Sequence, residues 1–165
     1  MKYISTRDNI KAVSGIEAIK SGMVPQGGLF IPKEIPAISH QQLDSWMNLS
    51  YTQLAQKIFQ LFLADDFSEK EITQIVHQAY HKENFTTEEI TPLTRLNDQL
   101  FLLELFHGPT GAFKDIALQA LPLILSLIIK KLSINNQLLI LVATSGDTGK
   151  AALPVSPEVA TSISN

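Results

Sequence analysis

The rhythm of apolar and polar positions changes three times along the chain. Residues 1–36 hold no sustained period. Within them Ser14, with Glu17 three residues on, predicts the start of a short helix around Val13–Ile19. The run Pro25-Gln26-Gly27-Gly28-Leu29-Phe30-Ile31-Pro32 predicts a glycine turn leading into a short extended or strand segment bounded by prolines. Pro32 and Pro36 delay the next helix until about Ser39. Residues 39–83 are helical in pattern. One helix covers His40–Met47. A second opens at Ser50 and carries Leu54, Ile58, Leu61 and Phe62 at helical spacing. A third opens at Ser68 with Glu71 as capping partner and carries a stripe of Ile72, Ile75, Val76 and Ala79. Residues 84–99 are polar and read as a connection. From Leu100 the pattern becomes strand, glycine loop, helix, strand, glycine loop and helix start. Leu100–Leu105 and Leu138–Ala143 are nearly continuous apolar runs, joined by a long apolar helix from about Lys114 to Leu132. Runs of this kind are expected of parallel strands covered on both faces, so the pattern is a βαβ unit with a right-handed crossover. The fold class is α/β, with a helical N-terminal part.

Composition narrows the possibilities. The chain has 165 residues, 45% hydrophobic and 18% charged, which suits one folded domain or slightly more. A net charge of -3 provides no basic field for nucleic acid or an acidic membrane surface. Cysteine is absent, which excludes thiol catalysis, thiolate metal sites and disulfides within the sequence. The N-terminus shows no apolar leader. The longest apolar stretch, Ile116–Ile129, is shorter than the roughly 20 residues a membrane-spanning helix needs. A cytoplasmic protein is expected. His77 and His81 lie four apart, but nothing with zinc-site spacing accompanies them, so they read as a helical surface pair and no metal is expected. Asp65-Asp66 and Glu88-Glu89 read as solvated acidic pairs.

The two glycine loops carry the candidate chemistry. In an open parallel sheet ligands bind beyond the carboxyl ends of the strands, and both loops would lie on that rim. Thr144-Ser145-Gly146-Asp147-Thr148-Gly149 combines glycines, hydroxyls and a helix start, a combination suited to a phosphate or carboxylate. A tight strand-to-helix turn capped by Ser or Asp explains it equally well. It is not a phosphate-binding loop of the Walker type: position 144 is Thr rather than Gly, and Ala151 follows Lys150 where a hydroxyl should hold Mg²⁺. It is not a dinucleotide fingerprint either. In the first loop, Lys114 stands between Phe113 and an apolar helix. An amine so placed could act in Schiff-base chemistry, and an ordinary solvated lysine at a helix start matches the same pattern.

Taken together the motifs are more specific. Leu105-Phe106-His107-Gly108-Pro109-Thr110-Gly111-Ala112-Phe113-Lys114-Asp115 followed by Ala143–Gly149 resembles threonine synthase, as do Tyr3-Ile4-Ser5-Thr6-Arg7 and Gly27–Pro32. The resemblance covers roughly residues 1–153. It implies a pyridoxal 5'-phosphate enzyme on the type II scaffold shared with tryptophan synthase β and the serine/threonine dehydratases. It implies the conversion of O-phosphohomoserine and water to threonine and phosphate. Lys114 matches the lysine that bonds to the cofactor. Thr144, Ser145, Gly146 and Thr148 match the loop that holds the substrate carboxylate. Asp147 stands where related enzymes often have Asn facing the cofactor's phenolic oxygen, which implies a proton shared between two anionic oxygens. Arg7 is a candidate contact for the substrate phosphate. Gly111 stands where the family commonly has a larger apolar residue.

On this reading residues 1–98 are the family's N-terminal domain, 99–153 the start of the cofactor-binding domain, and 154–165 a serine-rich tail with two prolines. The family's later glycine loop for the cofactor phosphate is not in the sequence. The expectation is therefore an N-terminal fragment, inactive by itself and prone to self-association through exposed apolar strand edges. The alternatives are a non-catalytic remnant or protein-interaction module, and another type II enzyme such as a dehydratase.

Overall fold

The structure is a computed structural model that describes residues 1–135, 143–144 and 146–152. The predicted second strand is described only at its last residue, Ala143, and the tail after position 153 and Ser145 lie outside the described residues. The chain forms two compact units, Met1–Val76 and His77–Asn165. The composition change read at 98/99 lies within the second unit.

In the first unit, β1 (Tyr3–Ser5) pairs antiparallel with β2 (Phe30–Pro32), with Ile4 opposite Ile31. Tyr3 and Val13 exchange two backbone hydrogen bonds of 2.9 Å, which fold the intervening segment back on β1. Arg7 lies over Gly27, where an added Cβ would come within 2.9 Å of its guanidinium. Four helix starts follow the predicted serines. Ser39 and Ser50 form complete reciprocal caps with Gln42 and Gln53 at the heads of α2 (His40–Trp46) and α3 (Tyr51–Leu63). Ser68 and Glu71 do the same for α4 (Glu69–Ala79), with bonds of 3.3 and 2.7 Å. Each such cap satisfies helix-end donors that would otherwise be orphaned and contributes about 1 kcal/mol. At α1 (Gly15–Ser21) only half the box forms. Ser14 Oγ accepts the Glu17 N–H, while the Glu17 carboxylate turns to Lys20 at 3.0 Å.

The predicted stripe on α4 is the buried one: Ile72, Ile75, Val76 and Ala79 are all removed from solvent. On α3 the burial differs from the expected stripe. Leu63 is buried and Leu54 is exposed. One acidic reading is corrected, and Asp65 remains exposed as expected. Asp66 is not a solvated charge, since its Oδ2 accepts the Gly15 N–H at 2.9 Å and holds the head of α1. Asp65 pairs with the N-terminal ammonium group, which holds its carboxyl below the usual range. α4 ends at Ala79, so His81 does not share a helix with His77.

The second unit holds β3 (Leu93–Arg95), β4 (Phe101–Leu103), α5 (Asp115–Lys131) and α6 (Asp147–Ala152). β3 and β4 form an antiparallel hairpin, with Leu93 opposite Leu103. This corrects two expectations. Residues 84–99 contain a strand, and the Leu100–Leu105 run is not a parallel strand covered on both faces. Phe101, Leu102 and Leu103 are each about half exposed (50, 47 and 53%). The cause lies in the turn: Asn97 Oδ1 accepts from the N–H groups of Gln99 and Leu100 at 3.0 Å, an Asx-type closure that returns the chain beside itself. α5 buries Ala120, Ile124 and Ile128, four residues apart, on one face. Pro122 sits inside it and has no N–H for the Leu118 carbonyl, yet the helix continues, with Pro122 itself buried.

Candidate active site

The hairpin delivers the chain to His107, where a hydrogen-bonded series begins. Thr94 Oγ1 donates to Glu104 Oε1 at 2.7 Å, and His107 Nε2 lies 2.6 Å from Glu104 Oε2. His107 Nδ1 lies 3.0 Å from Thr86 Oγ1, and the Thr86 N–H donates to the His107 carbonyl at 2.9 Å. An ionised carboxylate only accepts, so Nε2 donates to Glu104, while Nδ1 has the Thr86 hydroxyl as its partner. The bond from Thr94, and then that from His107, hold the Glu104 carboxyl below its ordinary range. His107 is thus tied at both ring nitrogens, which makes it a fastening between β4 and the Thr86 loop.

Beyond His107 the chain turns tightly. Gly111 takes φ +73°, the left-handed region glycine enters at no steric cost, so a glycine suits this position whatever the family carries there. Thr110 then meets the first residue of α5. Its N–H and its hydroxyl both donate to the Asp115 carboxylate at 2.8 Å. Asp115 is 0% exposed. Gly108 lies directly against it: an added Cβ would fall 2.4 Å from Asp115 Cβ. Tyr80 OH donates to the Ile116 carbonyl at 3.0 Å and steadies the same helix turn. Lys114, immediately before α5, is half-buried. Its Nζ lies 4.3 Å from the centre of the Phe113 ring, and it makes no ion pair among the described residues.

In the second loop, Thr144 Oγ1 accepts the Gly146 N–H at 3.2 Å. Thr144, Gly146, Asp147 and Thr148 are exposed, while Gly149 and Ala151 are buried. A Cβ on Gly146 would meet nothing within 4 Å. α6 packs on α5, and Lys150 Nζ donates to the Thr110 carbonyl at 2.9 Å. The two glycine loops that the sequence placed on one rim are therefore linked through Lys150.

The residues that hold this arrangement were largely missed by sequence reasoning. Asp115, Glu104 and Thr86 carry no motif of their own. In the sequence, Lys150 stands out only beside Gly149, as in a nucleotide-binding loop. The one available signal was the adjacency of Asp115 to Lys114, five residues after Thr110.

A family model described as threonine synthase N terminus matches residues 2–80. The threonine synthase of Pseudomonas aeruginosa is 37% identical over 153 residues, covering 93% of this chain and 32% of the relative. The pyridoxal-phosphate-bound crystal structure of threonine synthase from Brucella melitensis superposes with a TM-score of 0.87 at 33% identity, over 94% of this chain and 32% of that one. The yeast threonine synthase structure gives 0.85 at 36% identity, over 93% and 32%. Residues 2–80 match the N-terminal family model, and nearly the whole chain is similar to the N-terminal third of threonine synthases. The chain's mixed helices and strands correspond to the N-terminal part of the type II fold in those threonine synthases. The chain spans 32% of the length of these relatives. No helix among the described residues is long and apolar enough to cross a membrane.

Proposed function

We propose that this chain supplies the N-terminal portion of a pyridoxal-phosphate-dependent threonine synthase, a lyase that converts O-phosphohomoserine and water to threonine and phosphate in the cytoplasm. Residues 1–98 serve as its N-terminal domain and 99–153 as the start of its cofactor-binding domain. One observation carries the reading. Lys114 is a half-buried amine with no ion pair among the described residues, at the end of a loop whose other polar groups are fastened, in a chain 37% identical to a threonine synthase.

The residues present suit the cofactor. A carbonyl-binding lysine must be free of a carboxylate partner, as Lys114 is among the described residues. The open space at Gly146 leaves room for a ligand against the backbone. When bound, pyridoxal phosphate supplies an electron sink for negative charge on the substrate carbons. Lys114 Nζ would hold the cofactor and then move protons among the substrate Cα, Cβ and Cγ atoms. Thr144, Ser145, Gly146 and Thr148 would bind the substrate carboxylate through hydroxyls and N–H groups. Asp147, exposed at the head of α6, would face the phenolic oxygen and share one proton with it.

The test reads cofactor attachment rather than turnover. Pyridoxal phosphate titrated into the 165-residue chain should give a saturable visible band. After borohydride reduction, peptide mass spectrometry should find the pyridoxyl group on Lys114, and Lys114→Ala should abolish both. A band that survives Lys114→Ala, or label spread evenly over the lysines, refutes the assignment. A second proposal rests on Leu93, Leu96 and Leu100–Leu103, whose exposure on the β3–β4 hairpin favours self-association of this chain.

A further inference from the structure

We propose that Asp115 and Lys150 are positioning residues that act together through Thr110, fixing the loop from which Lys114 works and coupling it to the second glycine loop. The inference rests on the reading that Lys114 carries the cofactor, and goes beyond it.

All three polar groups of Thr110 are engaged. Its N–H and hydroxyl go to Asp115 at 2.8 Å each, and its carbonyl receives Lys150 Nζ at 2.9 Å. The Thr110 hydroxyl oxygen also accepts the Ala112 N–H at 3.4 Å. One residue in the middle of a glycine loop is thereby held from α5 on one side and α6 on the other.

Asp115 is an expensive device if stability were its purpose. A fully buried carboxylate loses its hydration, and among the described residues no cation lies within ion-pair distance of it. The two donors from Thr110 and the amino end of the 17-residue α5 offset that loss. What the arrangement gains is a closed ring from position 110 to 115, which fixes the backbone on both sides of Phe113 and Lys114. Gly108 completes it, because no side chain fits between that backbone and Asp115. Lys150 extends the hold to the second loop. It sits one turn into α6, after the exposed residues Gly146, Asp147 and Thr148, so a ligand that orders those residues also orders Thr110.

The chain without cofactor provides the first arm of the test. Amide hydrogen exchange at Thr110 and Ala112 should be slow in the parent and in Lys150→Arg, which keeps a donor. It should quicken about five- to tenfold in Lys150→Met, the loss expected for one hydrogen bond. Ile124 and Ile128 should exchange as in the parent. Asp115→Asn keeps one acceptor and should lie between parent and full loss; if it fails to fold, Lys150→Met still decides. In the second arm, half-saturation of Lys114 labelling by pyridoxal phosphate should rise by a similar factor in Lys150→Met and be restored in Lys150→Arg. Unchanged Thr110 exchange in Lys150→Met overturns the clasp. Faster exchange with labelling unchanged within twofold overturns its role in positioning Lys114. If the parent takes no label at Lys114, the cofactor reading fails and the positioning role falls with it, while exchange still decides the Thr110 clasp.

Discussion

Replacing Gly108 by alanine should cost this chain a large part of its stability, for a steric reason. The new Cβ would stand 2.4 Å from Asp115 Cβ, 2.6 Å from Oδ2 and 2.9 Å from Cγ. The nearest of these atoms is rooted on the backbone of α5, so rotating a flexible side-chain end cannot relieve the clash. Either the loop or the first turn of the helix must move. Overpacking of this kind costs about 1–3 kcal/mol. Movement also breaks at least one bond to the buried Asp115 carboxylate, worth about 1.5–3 kcal/mol for a charged acceptor. The loss should therefore reach about 2.5–6 kcal/mol, against the roughly 5–15 kcal/mol that holds a typical domain together. Two controls separate this mechanism from a general intolerance of glycine substitution. Gly22 has φ +69° with ψ −53° and open space, so Gly22→Ala should show backbone strain alone, about 1–3 kcal/mol. Gly146 has open space and no left-handed φ, so Gly146→Ala should stay within about 0.5 kcal/mol. Urea unfolding followed by circular dichroism measures all three. If Gly108→Ala unfolds with the parent, or if Gly146→Ala is the most damaged, the argument built on Asp115 is wrong.

Three further outcomes are expected. The folded state holds the Glu104 carboxyl below its ordinary 4.5, so its contribution is complete above that value and is lost as pH falls through the lower folded-state value. Melting Glu104→Gln beside the parent should thus show a deficit at neutral pH that closes as pH falls below 4.5; a deficit independent of pH contradicts the Thr94–Glu104–His107 assignment. Ile72 is wholly buried and Ile35 is 83% exposed, so Ile72→Ala should cost about 2–5 kcal/mol in urea unfolding and Ile35→Ala under about 0.5 kcal/mol. Leu93 and Leu103 face each other on the exposed hairpin, and Leu93→Lys with Leu103→Glu keeps opposite charges across the pair. Sedimentation velocity should show concentration-dependent association of the parent that the double variant loses.

Where the signal was local, the sequence was readable. Helix starts at Ser14, Ser39, Ser50 and Ser68 follow from a hydroxyl and a glutamine or glutamate three residues on, and all four serines cap helices. The α4 stripe was readable because four apolar residues at helical spacing admit only one buried face. The β3–β4 hairpin was not. Leu93-Thr94-Arg95 is too short and polar to show a period, and a run such as Phe101-Leu102-Leu103 looks the same whether it is covered or left bare. Asn97-Asp98 between two apolar segments was the turn signal that could have revealed it. The burial of Asp115 was not readable either. An acidic residue in the first turn of a helix is ordinarily a solvated favourable charge, and only the approach of Gly108 and Thr110 takes it out of water.

Within the two motifs, exposure and bonding divide the residues by task. His107, Gly108, Thr110, Gly111 and Asp115 are committed: each is hydrogen-bonded, sterically wedged or set in a special backbone conformation by its neighbours. Gly149, Lys150 and Ala151 are committed in the same way, by burial or by the bond to Thr110. Phe113, Thr144, Gly146, Asp147 and Thr148 are exposed. Among the described residues, Lys114 is the one lysine of the motifs without a hydrogen-bond acceptor. A motif retained only as a turn would need the first group and leave the second arbitrary. The committed residues frame Lys114, which has no acceptor among the described residues, and the exposed second loop, as the proposed chemistry at Lys114 would require. Substitutions should therefore separate cleanly. Those in the frame lower stability first, whereas those at Lys114, Gly146 and Thr148 leave unfolding unchanged and remove cofactor attachment or substrate-carboxylate binding.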